Sequence, residues 1–202
     1  MVYYLVFGKD RRKSDWILFE QDPQEGPVLR SRYVPLQCPS CNGLNVYRAL
    51  ESGVDSLLKF SGTWDFMDTE ECVLCVNQRT RQLLLDNRVT GVDFLALPGD
   101  LRYSILIPKV ILPVHRRDNQ MKISHKCARC NLMLAHRWPS ISSMRIPTDP
   151  LLIFTAQPMM KLASRGCLFW MTQPVVELLQ RHNVTGLHFH RLTPDRSGVP
   201  VK

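Results

Sequence analysis

The sequence lacks the patterns that identify membrane-spanning proteins and the common classes of enzyme. No apolar run approaches the roughly 18 to 20 residues that a helix needs to cross a bilayer. There is no Gly-rich phosphate loop, no nucleophile elbow, no His-Glu-x-x-His helix and no dinucleotide-binding fingerprint. Ser, His and Asp all occur, but no spacing identifies a catalytic triad. We therefore expect a protein that is not an enzyme, with no small-molecule substrate and no membrane partner.

The N-terminal residues also lack an export signal. Residues 1–7 are apolar but have no basic segment before them and no small-residue cleavage site after them, so they predict a strand. Residues 16–20 predict a second strand, and residues 1–20 are expected to form an N-terminal hairpin. A reducing cytoplasm is the expected compartment. At the other end, residues 193–202 are expected to be a loose tail.

Cysteine is the residue type whose spacing carries most information. Six of the seven cysteines fall in Cys-x-x-Cys pairs, a metal-ligand spacing rather than a scattered disulfide framework. Two distant pairs, called knuckles below, can supply the four thiolates of a tetrahedral zinc site: Cys38, Cys41, Cys127 and Cys130. We expect one structural Zn²⁺ per chain, because four thiolates leave no open position for a substrate. Four free thiols or two disulfides are the alternatives.

The residue after each knuckle supports this interpretation. A knuckle often requires a left-handed backbone at that point, which glycine adopts most readily and asparagine next. Here the two residues are Asn42 and Asn131. Pro39 also suits the rigid turn of the first knuckle.

The chain repeats itself after its first knuckle. Segments 94 or 95 residues apart match in three places, namely 55–60 with 149–154, 72–78 with 167–173, and 89–94 with 184–189. Each copy follows one knuckle, which predicts a pseudo-symmetric α+β fold. Its two strand–helix–strand halves would be residues 38–97 and 127–192, within one compact domain that covers residues 1–202.

Each half contains the signals of a strand that leads into a helix. The strand reaches Asn77 in the first half and Thr172 in the second, and both residue types cap helix N-termini. Pro174 suits the first helical turn. The helices are expected to end near Asn87 and Asn183, since asparagine tolerates the left-handed residue that closes a helix.

The repeat also bears on the third Cys-x-x-Cys pair. Cys72 and Cys75 correspond to Cys167 and Trp170 in the second copy. A metal ligand does not become tryptophan while the surrounding strand stays apolar. We therefore interpret Cys72, Cys75 and Cys167 as small buried side chains.

Two further segments lead to predictions about exposure. Residues 103–114 are β-branched and interrupted by Pro108, which predicts edge strands. His188 and His190 alternate on the last predicted strand and are expected to face solvent or an interface.

Positive charge is concentrated in the second half of the chain. The first 100 residues hold 11 lysines and arginines against 14 acids, and the remainder hold 15 against 4. Residues 102–145 carry nine basic side chains and one acid, Asp118. This asymmetry favours an anionic partner, and a merely solvated basic surface is the alternative. The candidate partner-binding residues are Arg116, Arg117, Lys122, Lys126, Arg129 and Arg137.

The arrangement of these motifs resembles the myxobacterial double-CXXCG motif family. The similarity rests on a Tyr-rich first strand, the two knuckles and the strand–helix–strand ending, within residues 1–10, 38–41, 127–130 and 165–192. The family has glycine after each knuckle where this chain has Asn42 and Asn131. Some members are described as immunity proteins that neutralise contact-delivered toxins. Membership would imply a metal-stabilised binding protein without catalytic activity.

Two functions from different classes follow from the sequence. The first is a non-enzymatic protein-binding module, zinc-stabilised and immunity-like, whose partner is a cognate protein such as a toxin. The alternative is a zinc-ribbon protein that binds nucleic acid through the basic 102–145 segment. In that alternative, Tyr103 and Arg129 would be among the residues that contact bases and phosphates.

Overall fold

The computed structural model describes residues 2–8, 16–54, 57–69, 71, 73–111, 123–130, 133–135, 148–155, 159–160 and 169–192. Helices and strands are mixed along these residues, which confirms the predicted α+β class. The predicted tail at 193–202 lies outside the described residues, as do most of the residues between 112 and 147.

The first part of the chain forms eight strands and two helices in the described residues. They are β1 Tyr3–Gly8, β2 Phe19–Asp22, β3 Gly26–Leu29, β4 Leu44–Asn45, α1 Val46–Glu51, β5 Phe66–Asp68, β6 Leu74–Asn77, α2 Gln78–Asp86, β7 Val92–Ala96 and β8 Tyr103–Pro108, with a 3₁₀ helix at Ser31–Leu36. The second part forms β9 Ile123–Lys126, β10 Met133–Ala135, β11 Ile153–Thr155, β12 Met159–Met160, β13 Phe169–Thr172, α3 Gln173–Arg181 and β14 Leu187–Leu192.

Two four-stranded antiparallel sheets dominate the described fold. Sheet I has the strand order β5-β6-β8-β7, and sheet II has the order β11-β13-β1-β14. Three small two-stranded pairs accompany them, β2 with β3, β4 with β12, and β9 with β10. The α-helices of the described residues run for six to nine residues, and none is long and apolar enough to cross a membrane.

One apolar cluster joins the two sheets. It contains Phe66 and Ile105 of sheet I together with Phe169 and Met171 of sheet II, each at most 1% exposed. Burial of such side chains contributes about 1.5–3 kcal/mol each. The helices pack onto the same cluster, α2 through Leu84 and α3 through three buried aliphatic side chains, Val175, Val176 and Leu179.

The predicted helix starts are confirmed. The Asn77 side chain accepts a hydrogen bond from the Thr80 N–H at 2.9 Å, as an N-cap should. Thr172 precedes α3 but caps nothing with its side chain, because its hydroxyl donates to the Pro150 carbonyl at 2.6 Å. Pro174 lies in the first turn of α3.

Both helices end near the predicted asparagines, but in the first half the left-handed residue lies one position beyond the expected asparagine. Asn183 is left-handed as expected, with φ of 52°. In the first half the left-handed residue is Arg88, at φ of 53°, and Asn87 has φ of −89°. The geometry of the helix end imposed this conformation on arginine, although asparagine stands next to it.

The N-terminal hairpin predicted for residues 1–20 does not form. β1 pairs on one side with β13 and on the other with β14, while β2 pairs with β3. An interior strand needs a partner along each edge, and those partners lie more than 160 residues away in sequence. Nothing in the local pattern of residues 1–20 could reveal them.

The edge-strand prediction for residues 103–114 is also wrong over its described part. β8 lies between β6 and β7, and all six of its residues are buried. Pro108 is tolerated because it is the last residue of the strand.

The sheet pairing changes one segment of the predicted repeat. Cys75 of β6 pairs with Met67, and Trp170 of β13 pairs with Phe154. Because Cys75 and Trp170 correspond in the repeat, Phe154 corresponds in position to Met67. The sequence match predicts Phe60 as the counterpart of Phe154, but residues 57–60 form no strand.

Candidate metal centre

The four predicted ligands converge on one point. The Sγ atoms of Cys38 and Cys127 are 3.8 Å apart, and those of Cys41 and Cys130 are 3.5 Å apart. All four Sγ atoms lie within 4.8 Å of one another. A tetrahedral zinc–thiolate site with bonds of about 2.3 Å has sulfur–sulfur edges of about 3.8 Å. The cluster therefore has the size that a metal ion requires.

The disulfide alternative is not realised. All four residues are free cysteines, and their sulfur atoms are well beyond the S–S bond length of about 2.05 Å. Cys38 and Cys127 are buried, while Cys41 and Cys130 are half-buried. One side of the cluster therefore faces the surface.

The first knuckle is a tight turn held by backbone hydrogen bonds. The Cys38 carbonyl accepts from the N–H of Cys41 at 3.3 Å and of Asn42 at 2.7 Å, and the Cys38 N–H donates to the Gly43 carbonyl at 2.8 Å. Asn42 has φ of 55°, which confirms the predicted left-handed residue after this knuckle. The Gln37 side-chain amide donates to the Asn42 carbonyl at 3.2 Å.

The second knuckle occupies the turn between β9 and β10. These strands pair antiparallel, with Lys126 opposite Met133, so Cys127 follows directly from the end of β9. Residues 128–130 form a turn that brings Cys130 back toward Cys127. Asn131, predicted to be left-handed, lies outside the described residues.

Backbone N–H groups point at the sulfur atoms and favour the thiolates that bind metal. The pKa of Cys127 is lowered to about 6 by hydrogen bonds from the N–H groups of Cys130 and Arg129. The pKa of Cys38 is lowered chiefly by the Ser40 N–H. Burial raises the pKa of Cys41, and the Gly43 N–H offsets part of that effect. Cys38 and Cys127, one from each knuckle, are thus shifted toward the thiolate form that binds metal.

The third Cys-x-x-Cys pair is separate from the cluster as far as it is described. Cys75 lies in β6, fully buried within the apolar core, as predicted. Cys72 and Cys167 fall outside the described residues. Among the described residues, the metal-ligating group consists of the four knuckle cysteines.

The predicted partner-binding residues are only partly placed. Arg129 is exposed in the second knuckle, next to the cluster. Only the backbone of Lys126 is described, in β9. The other four, Arg116, Arg117, Lys122 and Arg137, lie outside the described residues.

Two further predictions about exposure have opposite outcomes. His188 and His190 are exposed on β14, as expected. Tyr103, which the nucleic-acid alternative placed against bases, is 3% exposed and cannot stack on them. Its hydroxyl donates to the Trp64 carbonyl at 2.8 Å, so it stabilises the loop before β5.

Sequence reasoning missed a reciprocal contact between the two sheets. The Phe66 N–H at the start of β5 donates to the Thr185 carbonyl at 3.1 Å, and the Ile153 N–H at the start of β11 donates to the Thr90 carbonyl at 3.1 Å. The signal was present, because both threonines belong to the repeated Val-Thr-Gly segment. The contact that these threonines make could not be inferred from the sequence of a single strand.

A scan against protein-family models and a search of curated proteins each found no match to this chain. The resemblance to the double-CXXCG family therefore stays a prediction from short motifs. What the geometry establishes is a cluster of four cysteines that can hold a metal ion.

Proposed function

We propose that this protein is a non-enzymatic, zinc-stabilised protein-binding module of the immunity type. The observation that carries the proposal is the convergence of two knuckles, 89 residues apart, into one four-sulfur cluster. Four thiolates fill the coordination of zinc, so the ion would act as a structural cross-link and would not bind substrate. The motif resemblance supports the immunity role, and the reducing cytoplasm would keep the thiols available for metal.

The proposal includes an internal duplication of the chain. In each sheet, a strand leads through a capping residue into a nine-residue helix, and the chain returns as a strand of the same sheet. The helices start 95 residues apart, at Gln78 and Gln173. Equivalent strand pairing in the two sheets supports a common origin for both units.

The proposed partner is a cognate protein with an acidic face, such as a toxin. Arg129 is an exposed cation next to the metal centre, and the basic 102–145 segment surrounds it in sequence. Electrostatic complementarity of this kind accelerates association and selects the partner. Binding needs only a complementary surface, which agrees with a site that has no open metal coordination.

A binding assay against the product of the adjacent gene tests this proposal. We expect retention of that protein by immobilised full-length chain, weakened at least several-fold by Arg129→Glu. Arg181→Glu, on the exposed end of α3, is the matched control and should bind like the unmodified chain. Absence of binding to a neighbour that has no toxin features would count strongly against the immunity role.

The nucleic-acid alternative keeps one specific observation in its favour. The second knuckle lies on a β-hairpin and presents the exposed Arg129, an arrangement compatible with a zinc-ribbon contact to phosphates. It predicts binding of DNA or RNA that weakens steeply between low and physiological salt. If neither nucleic acid is retained at low salt, this alternative is wrong.

A further inference from the structure

The N-terminal strand β1 lies at the position in sheet II that β8 has in sheet I. In sheet I, the helix-capping residue Asn77 lies opposite Tyr103 of β8. In sheet II, the corresponding residue Thr172 lies opposite Tyr3 of β1. By this ladder, β1 takes in sheet II the place that β8 takes in sheet I, with Tyr3 equivalent to Tyr103.

The ladder on the other side of each strand leads to the same equivalence. Phe94 of β7 lies opposite Leu106, and the corresponding Phe189 of β14 lies opposite Val6. Val6 is three residues beyond Tyr3, as Leu106 is beyond Tyr103. The pairing of β1 with β13 and its pairing with β14 therefore give the same residue-by-residue correspondence between β1 and β8.

The two equivalent strands differ in how the chain reaches them. β8 follows β7 through the turn at residues 97–102, and the Leu97 N–H donates to the Tyr103 carbonyl at 3.4 Å. β1 instead enters from the N-terminus. Leu192 at the end of β14 nevertheless lies opposite Tyr3 at the start of β1. The end of sheet II is thus placed as if β14 should turn directly into β1.

β1 contacts mainly the strands of sheet II and α3, and its last residue, Gly8, also lies against Asp68 of β5. Two aromatic rings of β1 pack edge to face against sheet II. The ring centroids of Tyr4 and Phe189 are 6.4 Å apart, and those of Tyr3 and Phe154 are 6.1 Å apart. Val6 is buried in the shared core. Both edges of the strand are paired within sheet II, so its position is specified by β13 and β14 and not by residues 16–20.

We propose that β1 is a separable closing strand, which fits the groove between β13 and β14 through its own pairing and does not depend on its covalent connection to Trp16. The segment acts as a strap that completes the C-terminal sheet. Its native occupant is the N-terminal segment of this chain, and any chain connection that delivers Tyr3–Gly8 to the groove should serve.

A circular permutant that keeps every native residue tests the proposal. Residue 202 is joined to residue 1, and the new chain starts at Trp16 after an initiator methionine and ends at Asp15. Residues 193–202 with Met1 and Val2 then link β14 to β1. We expect cooperative unfolding within a few degrees of the native midpoint, an unchanged metal content, and amide-exchange protection of Val6 equal to that in the native chain.

Val6→Pro, made in both the permutant and the native chain, is the control. It removes one backbone N–H from an interior strand and should destabilise both connectivities alike. A permutant that is unfolded, or folded without protection of Val6, would overturn the proposal.

A second measurement does not depend on the permutant. A protease site replaces part of residues 9–15 in the full-length chain, and the folded protein is cut there. The N-terminal fragment should remain bound in a 1:1 complex by native mass spectrometry and gel filtration. Release of the fragment upon cleavage would show that the connection to Trp16 is required, against the proposal.

Discussion

Thr185 donates two hydrogen bonds to one carboxylate oxygen of Asp65, from its backbone N–H and from its hydroxyl, each 2.8 Å long. The Asp65 N–H donates back to the Thr185 hydroxyl oxygen at 3.1 Å. This contact joins the residue before β5 to the turn before β14. Thr90, which corresponds to Thr185 in the predicted repeat, donates its hydroxyl to Asp149, which precedes β11 of sheet II. Both contacts between the two sheets therefore include a hydrogen bond from a threonine hydroxyl to an aspartate.

Loss of the Asp65 carboxylate is expected to destabilise the protein. Burial by itself would raise the pKa of Asp65, but hydrogen bonds from Thr185 and Asn77 and the charge of Arg79 lower it below its usual value. Asp65→Asn should lower the free energy of unfolding by about 2 kcal/mol at pH 7, because it loses hydrogen bonds to a charged acceptor. Denaturant titration measures this, with the exposed Asp86→Asn as control.

The pH dependence of this contribution has a defined sign. Because the pKa of Asp65 is lower in the folded chain, the contact stabilises the protein above the pKa of the unfolded carboxyl, and the stabilisation is lost as pH falls through the folded value. Unfolding measured from pH 7 down to pH 3 should therefore show a smaller loss of stability in Asp65→Asn. Parallel curves for both proteins would contradict the assignment.

Substitution of either of two glycines in the reciprocal contact between the sheets should lower the free energy of unfolding by a similar amount. Gly91 and Gly186 both have positive φ, and a Cβ on either would lie 2.1 Å from a backbone carbonyl oxygen, that of Ile153 and of Phe66 respectively. Alanine at either site should cost at least about 2 kcal/mol, since backbone must move as well as φ. Unfolding free energies of both variants provide the measurement.

Gly26→Ala separates conformational strain from this steric clash. Gly26 also has positive φ, at 82°, but its Cβ position meets no atom within 4 Å. Its substitution should cost only about 1 kcal/mol, for the left-handed backbone alone. Equal costs at Gly26 and Gly91 would mean that the backbones of the two sheets do not approach each other closely at Gly91.

Removal of the metal should destabilise the chain, since two distant knuckles would lose their cross-link. Purified protein is expected to contain about one zinc per chain. The double variant Cys38→Ser with Cys127→Ser should lose the zinc and unfold at a lower temperature. Elemental analysis and thermal unfolding with and without chelator measure both effects.

Cys75→Ala is the matched control for the metal prediction. Cys75 is a buried core residue outside the four-sulfur cluster, so its variant should lose stability but keep its zinc. Metal-free protein with the native unfolding temperature would contradict a structural role for the ion.

The buried carboxyl of Glu71 should respond to pH in the direction opposite to Asp65. One of its oxygens accepts the N–H groups of Ile17 and Leu18 at 2.8 Å and of Phe19 at 3.3 Å. Burial nevertheless raises the pKa of Glu71. Stability from this group is therefore full below the pKa of an unfolded glutamate and is lost as pH rises through the folded value.

Glu71→Gln tests this assignment, because the amide oxygen can still accept the three N–H groups but does not titrate. Its stability curve should be flatter than the native one above about pH 4.3, the usual glutamate pKa. Glu71→Ala should be the more damaging variant at every pH, by about 2 kcal/mol or more, since it leaves buried N–H groups without an acceptor. A Gln variant with an unchanged pH profile would contradict the raised pKa.

Features of the chain that depend on a few neighbouring residues could be predicted. The cap at Asn77, the left-handed Asn42 and the ligand pairs of the metal centre each follow from groups within about four residues of one another. The burial of Cys75 was predicted from the similarity between residues 72–78 and residues 167–173.

Features that depend on strand partners could not be predicted in this way. The pattern of residues 1–7 predicts a strand, but it does not specify which of many distant strands that strand pairs with. Its assignment to a hairpin with residues 16–20 relied on sequence proximity, which is the only local guide. The interior position of β8 could not be predicted for the same reason. Pro108 suggests an edge strand unless it is known to be the last residue of the strand, which it is.

The sequence alone determined the elements of this protein: an α+β chain, four cysteines spaced as two pairs of metal ligands, and two strand–helix units with their caps. Capping, knuckle turns and apolar patterning act over a few residues, so they can be read locally. Only the tertiary structure decided that β1 completes sheet II and that each Thr-Gly turn packs against the other sheet. These arrangements are set by burial and backbone pairing between segments far apart in the chain, where many pairings satisfy the same local pattern and the shared core selects one.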